Sequence, residues 1–152
     1  MKVVVTTEPF NAWEYIQDYE QQMRSQALQW GAVTTFVGTM RDFNEGDDVQ
    51  AMFLEHYSPM TENYLEKISQ TAMFQWEIID TLIVHRVGEI VPQDNIVLVA
   101  AWAAHRGTAY EASRFLIEEL KHNAPFWKHE TLTNGEKRWV AANTSGEAQT
   151  KI

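Results

Sequence analysis

The sequence predicts a single α+β domain in which about three helices pack on a mainly antiparallel or mixed sheet. Three observations carry that expectation. Runs of β-branched and aromatic residues of strand length alternate with stretches of helical periodicity. An Asn-Gly pair separates two late strand-like runs. The length of 152 residues fits one domain on the usual scale of roughly 100–200 residues.

The elements follow in order. Val3–Thr7 is a short β-branched run. Asn11 followed by Glu14 resembles a capping pair opening a helix whose apolar side is Trp13, Ile16, Tyr19 and Met23, with Gly31 as its stop. Ala32–Val37 reads as a strand, and Arg41–Asp48 as a polar loop with turn chemistry. Val49–Tyr57 alternates as a second strand. Ser58-Pro59 then opens a helix, with serine as cap, proline in the first helical position, and Met60, Tyr64, Leu65, Ile68 and Ala72 at helical spacing. Ile78–Val87 is a long apolar strand ended by Gly88 and Pro92-Gln93-Asp94. Ile96–Ala101 is almost continuously apolar and is expected at the centre of the sheet, covered on both faces. Thr108 and Glu111 form a capping box for a helix running to about Asn123, where Pro125 forbids continuation. Phe126–Leu132 and Lys137–Val140 flank Thr133-Asn134-Gly135-Glu136 as a hairpin. The domain is expected over residues 1–140, and 141–152 as a polar, flexible tail.

Composition removes several function classes. There is no cysteine, which excludes a disulfide framework, thiolate metal sites, iron–sulfur clusters and a cysteine nucleophile. No apolar run approaches the roughly 18–20 residues of a membrane span, and the N-terminus does not read as a secretory signal, so the cytoplasm is the expected compartment. A net charge of −9 argues against nucleic acid as a partner. The charge is unevenly placed: residues 1–80 hold 13 acidic and 4 basic side chains, residues 81–152 hold 8 of each. Two differently solvated faces, or a basic pocket in an acidic body, both satisfy that split.

Three stretches place charged residues where strands or helices end. Gly38-Thr39-Met40-Arg41 follows a strand, where backbone N–H groups and Arg41 could cradle an anion; a plain turn bearing a surface arginine fits equally. His105-Arg106 lies at a helix start, a place for a phosphate or carboxylate, or for a histidine that satisfies a strand-end carbonyl. His85-Arg86 repeats the pair at another strand end, where a structural role suffices. The third stretch runs from Lys121 in a last helical turn to Lys128 beyond the proline break, with His129 and Glu130 behind it. The reversal could bring both ammonium groups into one pocket, where each lowers the other's pKa toward the acid–base range. Charge compensation of the helix end by Lys121 and a solvated Lys128 is the plainer alternative. The five histidines show neither a His-x-His nor a helical i, i+4 pair, no Gly-x-Ser-x-Gly elbow is present, and no metal or cofactor is expected.

Taken together these stretches resemble the large, catalytic subunit family of molybdopterin synthase. The resemblance rests on Gly31-Ala32, Phe36-Val37-Gly38-Thr39-Met40-Arg41, Asn44, Gly46, Glu55-His56-Tyr57, Met60, His85-Arg86-Val87-Gly88-Glu89, His105-Arg106, Ala109-Tyr110, Leu120-Lys121, Ala124-Pro125-Phe126-Trp127-Lys128-His129-Glu130, Gly135 and Trp139-Val140. It implies an α/β-hammerhead-like domain. It implies a sulfurtransferase of molybdenum cofactor biosynthesis that converts cyclic pyranopterin monophosphate (precursor Z) to molybdopterin. Sulfur would arrive as a thiocarboxylate on the C-terminal Gly-Gly of a small ubiquitin-like carrier, and two large subunits would form the homodimer core of a heterotetramer.

By resemblance Lys121 and Lys128 are the active-site lysines. Lys121 would act on the thiocarboxylate or its acyl intermediate, and Lys128 on the pterin during opening of the cyclic phosphate. Thr39, Met40, Arg41, His105 and Arg106 would hold phosphate and developing negative charge, with His129 and Glu130 beside Lys128 and Phe36 a further lining residue. Family members often carry another basic residue after the Trp-Val pair; here Ala141-Ala142-Asn143 follow, and Arg138 is the candidate substitute. The competing class is a non-catalytic α+β dimer whose basic pocket captures a phosphorylated metabolite or an acidic peptide tail.

Overall fold

Nine strands and three helices form among the described residues, 1–141 and 146–148, of this computed structural model. The apolar run at 78–87 becomes β5 (Asp80–Arg86), buried along its whole length, and the next becomes β7 (Asn95–Ala103). With β1 (Lys2–Thr6) and β2 (Ala32–Thr39) they make a sheet of order β1-β5-β7-β2. Only the β1–β5 pair in it is parallel. The central position expected for the continuously apolar strand is the one β7 occupies.

Both faces of this sheet are covered, which is why β5 and β7 lack an apolar–polar alternation. α1 (Ala12–Ser25) lies on one face, where Ala12, Tyr19 and Met23 meet Leu82, Val84, Leu98, Ala100 and Trp102. α2 (Met60–Trp76) and α3 (Arg106–Asn123) lie on the other, where Leu65, Ile68, Ala112, Leu116 and Leu120 meet Ile83, Val97, Val99 and Ala101.

A second sheet has the order β3-β4-β8-β9, from β3 (Phe43–Asn44), β4 (Asp47–His56), β8 (Phe126–Leu132) and β9 (Lys137–Val140). β6 (Gly88–Ile90) pairs with β4. Gly88, at φ +80°, turns the chain from the first sheet into the second. Met40, Val49, Met52, Leu54, Val87, Ile90 and Leu132 form a third core cluster beneath the second sheet.

Several expected boundaries shift. Asn11 does cap α1, its side chain accepting from the N–H groups of Trp13 (2.9 Å) and Glu14 (3.4 Å). The helix stops at Ser25, however, and Ala27 rather than Gly31 takes the left-handed conformation, φ 59°. Gly31 is needed because a Cβ there would collide with the Ala104 carbonyl oxygen. α2 begins at Met60 with Pro59 as its cap, and α3 begins at Arg106 with His105 as its cap. Thr108 therefore lies inside α3, and the Thr108–Glu111 pair is not its capping box. The expected loop at 41–48 folds back as the β3–β4 hairpin, since Glu45 and Gly46 both take positive φ, the geometry of a tight hairpin turn. Strands of two and three residues, β3 and β6, are too short to leave a periodic signal.

Trp102 is fully buried, its ring 5.4 Å from that of Tyr19 and its indole N–H bonded to Glu20 at 3.0 Å. Trp102→Ala empties the centre of the α1 layer. It is expected to lower stability by about 3–5 kcal/mol, read by urea unfolding as a lower midpoint with an unchanged slope.

Candidate active site

α3 ends because Pro125 follows Ala124, whose backbone is already extended (φ −67°, ψ 139°). Thr61 of α2 clamps the reversal by donating to the Pro125 carbonyl at 3.1 Å. β8 then runs back antiparallel to β4, so that Lys121 at the end of α3 and Lys128 in β8 come to the wall of one cavity of about 980 Å³. A second cavity, of about 480 Å³, is bordered by the same two lysines and also by His85, Phe126, Trp127 and Trp139. The lysines stand at the junction of the two.

The alternation of β8 decides which neighbours share that wall. Phe126, Lys128, Glu130 and Leu132 have one parity, and Trp127, His129 and Thr131 the other. Glu130 therefore lies on the side of Lys128. It is buried, with Oε1 accepting from Asn44 Nδ2 at 2.7 Å and Oε2 from Arg138 Nη2 at 3.2 Å. Arg138 also donates to Asp47 Oδ2 (2.8 Å) and to the Asn44 carbonyl (2.9 Å).

Electrostatics follow from this packing. Lys121 is pushed down to about 8, first by burial and then by the charge of Lys128. Lys128 is also lowered, by burial and by Arg41, while the Glu130 carboxylate acts in the opposite sense. Burial is thus the larger cause for both lysines, ahead of the charge of Lys128 for the one and of Arg41 for the other.

The residues expected to bind substrate divide into two groups. Phe36, Thr39, Met40, Arg41 and Glu130 line the larger cavity with both lysines, and the Arg41 guanidinium rests over Phe43, 5.1 Å from its centroid. The Met40 N–H cannot cradle an anion, because it donates to the Asp94 carbonyl at 2.9 Å. His105 and Arg106 are exposed at the start of α3 and border neither cavity, since the lysines sit at the helix's other end. His129 borders neither cavity; it stacks on Phe53 (5.2 Å) and against Trp139 (4.8 Å). Arg138 holds Glu130 and lines neither cavity. Most of the expected tail, 142–145 and 149–152, lies outside the described residues; the Gly146 carbonyl accepts from Arg114 at 2.7 Å beside the larger cavity.

The sequence reading missed one stripe of α3. Tyr110, Ser113, Arg114, Ile117, Glu118, Lys121 and His122 all line the larger cavity. Their helical spacing, one step round from the buried Ala109, Ala112, Leu116 and Leu120, was the available signal. Among the described residues no three His, Asp or Glu side chains gather as a metal site, and no helix is long and apolar enough to cross a membrane.

Fold and cavity together define a one-domain α+β protein with a lysine-walled site suited to anionic ligands. The chain belongs to the MoaE protein family, whose model matches residues 5–123. It is 41% identical over 150 residues to the molybdopterin synthase catalytic subunit of Escherichia coli K12, covering 99% of this chain and 96% of that one. It is 48% identical over 125 residues to the one from Ralstonia nicotianae, covering 82% and 70%. Among solved structures, the molybdopterin biosynthesis MoaE protein of Burkholderia ambifaria is similar, with 42% identity, a TM-score of 0.76 and coverage of 95% and 92%. So is molybdopterin synthase from Staphylococcus aureus, with 31% identity, a TM-score of 0.74 and coverage of 93% and 98%.

A lysine lowered by burial destabilises the fold where it is charged. The penalty is full below pH 8, because the unfolded chain solvates the same ammonium at no cost. It fades as pH rises from about 8 toward the unfolded value near 10.5. Lys121→Met is therefore expected to raise stability at pH 7 by roughly 1–3 kcal/mol. The gain should vanish by pH 10.5, as read by thermal unfolding at both pH values.

Proposed function

We propose that this chain is the catalytic half of a cytoplasmic molybdopterin synthase that transfers sulfur to cyclic pyranopterin monophosphate. The sulfur comes from the thiocarboxylated C-terminus of a small ubiquitin-like carrier, and two copies of the chain form the core of a heterotetramer with one carrier at each end. The observation that supports this most is the pair Lys121 and Lys128 at the junction of two cavities, one amine lowered to about 8. At about 8 Lys121 is still mostly an ammonium at neutral pH, and burial leaves its charge poorly screened, as stabilising the developing charge of an acyl transfer requires.

The chain has no cysteine, so sulfur has no resting place on it and must enter on the partner. Lys121 stabilises the charge on the thiocarboxylate carbonyl as its acyl group changes hands. Lys128 exchanges a proton with the pterin as the cyclic phosphate opens, its charge state balanced between Glu130 and Arg41. Arg41, exposed at the cavity mouth and steadied over Phe43, supplies a fork of donors for phosphate. His105 and Arg106 border neither cavity of their own protomer, so they serve the phosphate only if they reach a site across the dimer.

The test combines purified chain, thiocarboxylated carrier and precursor Z, with dithiolene product read by mass spectrometry. Lys121→Ala and Lys128→Ala are each expected to cut product formation by ~10²-fold or more while carrier binding persists. Carrier binding without any product from the wild-type chain identifies a binding module instead, and wild-type turnover in both variants removes the lysines from the mechanism.

A further inference from the structure

Arg86 is a buried cation that the chemistry above leaves without a role. It ends β5, opposite Thr6 of β1, and is 5% exposed. Its Nη2 donates to the Glu89 carbonyl at 2.6 Å, across the corner that Gly88 makes between β5 and β6. Its Nη1 stands 3.7 Å from Asp94 Oδ2, an ion pair longer than a hydrogen bond. Among the described residues, Nε and Nη1 find no hydrogen-bond partner although both are buried. A guanidinium so placed is costly. Methionine would fill the slot without desolvating a charge or stranding two nitrogens. Stability alone does not account for an arginine here.

What the guanidinium holds is the turn at 91–94. The Asp94 N–H donates to the Val91 carbonyl (3.1 Å), and the Val91 N–H to Asp94 Oδ2 (3.2 Å), the same oxygen that faces Arg86. Gln93 within the turn has φ 75°, a left-handed conformation that a glutamine keeps only where its surroundings impose it. This turn grips the chain just beyond β2 by two backbone hydrogen bonds. The Met40 N–H donates to the Asp94 carbonyl and the Gln93 N–H to the Met40 carbonyl, both at 2.9 Å. The next residue is Arg41, which lines the larger cavity with its guanidinium over Phe43. A line of contacts thus runs from Arg86 through Asp94 and Met40 to Arg41.

We propose that Arg86 is a positioning residue for Arg41: its guanidinium ties the turn at 91–94 to the end of β5, and the turn holds Met40 from both sides, which sets where Arg41 enters the larger cavity. The functional meaning of that tether rests on the phosphate role proposed for Arg41; the tether itself does not. Arg41 is exposed, and its only ring contact is the exposed Phe43, so its side chain has little to hold it. Its backbone is where its position is fixed, and that backbone is anchored through a buried cation rather than through apolar packing alone.

Two measurements on the full chain test this. The first follows amide hydrogen exchange in the wild type and in Arg86→Met. The Met40 and Gln93 amides are expected to exchange about tenfold faster in the variant, while Val99, in the middle of β7, keeps its wild-type rate. Unchanged exchange at Met40 and Gln93 overturns the proposal. So does an equal acceleration at Val99, which makes Arg86 a global stabiliser only. If Arg86→Met does not fold, Arg86→Lys decides by the same comparison, because a lysine keeps the charge but lacks the fork that reaches Glu89 and Asp94 together. The second measurement is the reaction of precursor Z with thiocarboxylated carrier. Arg86→Met is expected to raise KM for precursor Z roughly fivefold and to leave kcat near the wild-type value. Added to Arg41→Ala it should cost nothing more, since it acts only through Arg41. An unmoved KM where Met40 has loosened, or effects of the two substitutions that simply add, overturns the positioning role. If the exchange result holds while the wild type makes no product, the tether stands and the proposed function falls.

Discussion

Two partly buried ammonium groups share one wall, and much of the architecture serves that arrangement. Taking a charge out of water is costly unless something replaces the lost solvation. For Lys128 the replacement is Glu130, two residues along the same face of β8, whose negative charge works against the effect of burial. Glu130 is itself buried, and its two oxygens are held by Asn44 and Arg138. Arg138 in turn reaches Asp47 at the exposed β3–β4 turn. A ladder of alternating charge thus runs from an acidic hairpin at the surface to the inner lysine. Burial and Lys128 both push Lys121 down, which is why its value is the one that lands near 8.

The same constraint explains why two sheets are needed. Lys121 ends a helix that packs on the first sheet, whereas Lys128 belongs to a strand of the second. The α3–β8 reversal at Ala124-Pro125 is the only covalent link in which the two lie close in sequence, and Thr61 ties it to α2. Gly88 carries β5 into β6, so the second sheet is anchored to the first on the far side of β4 as well. The junction of the two cavities is fixed from both sheets, and its geometry does not depend on a loop.

How much of this could be read from sequence follows from which signals are local. β7 was legible because seven of its nine residues, 97–103, are buried and none of the seven is charged or an amide or hydroxyl, and Asn11 because a cap is written within four residues. The lysine pair was legible because a proline forces the reversal between them. Met40 and His129 differ in what local sequence shows of them. The Met40 N–H is claimed by Asp94, a partner 54 positions away that no local pattern announces. His129 has the parity opposite to Lys128 and Glu130, and its ring is taken up by Phe53 and Trp139 across the neighbouring strands. His105 and Arg106 stand 15 to 16 helical residues before Lys121, a separation of about 23 Å at 1.5 Å per residue.

The two cavities bear on what a cysteine-free sulfur transferase must do. Transfer between two bulky reactants requires that both reach one point, yet a single closed pocket admits only one of them. Here a volume of about 980 Å³ and one of about 480 Å³ share Lys121, Lys128, His122, Met52, Ile96 and Val140 as a common boundary. The larger is flanked by Arg41 and the polar stripe of α3, which suits an anionic small molecule. The smaller is bordered by Phe126, Trp127 and Trp139 together with Leu54 and Leu120, apolar surface against which, in the function proposed, an extended backbone would lie. Two amines at the boundary can serve both reactants without either leaving its own compartment. That division of space, more than any nucleophile of its own, is what this chain contributes to the reaction proposed for it.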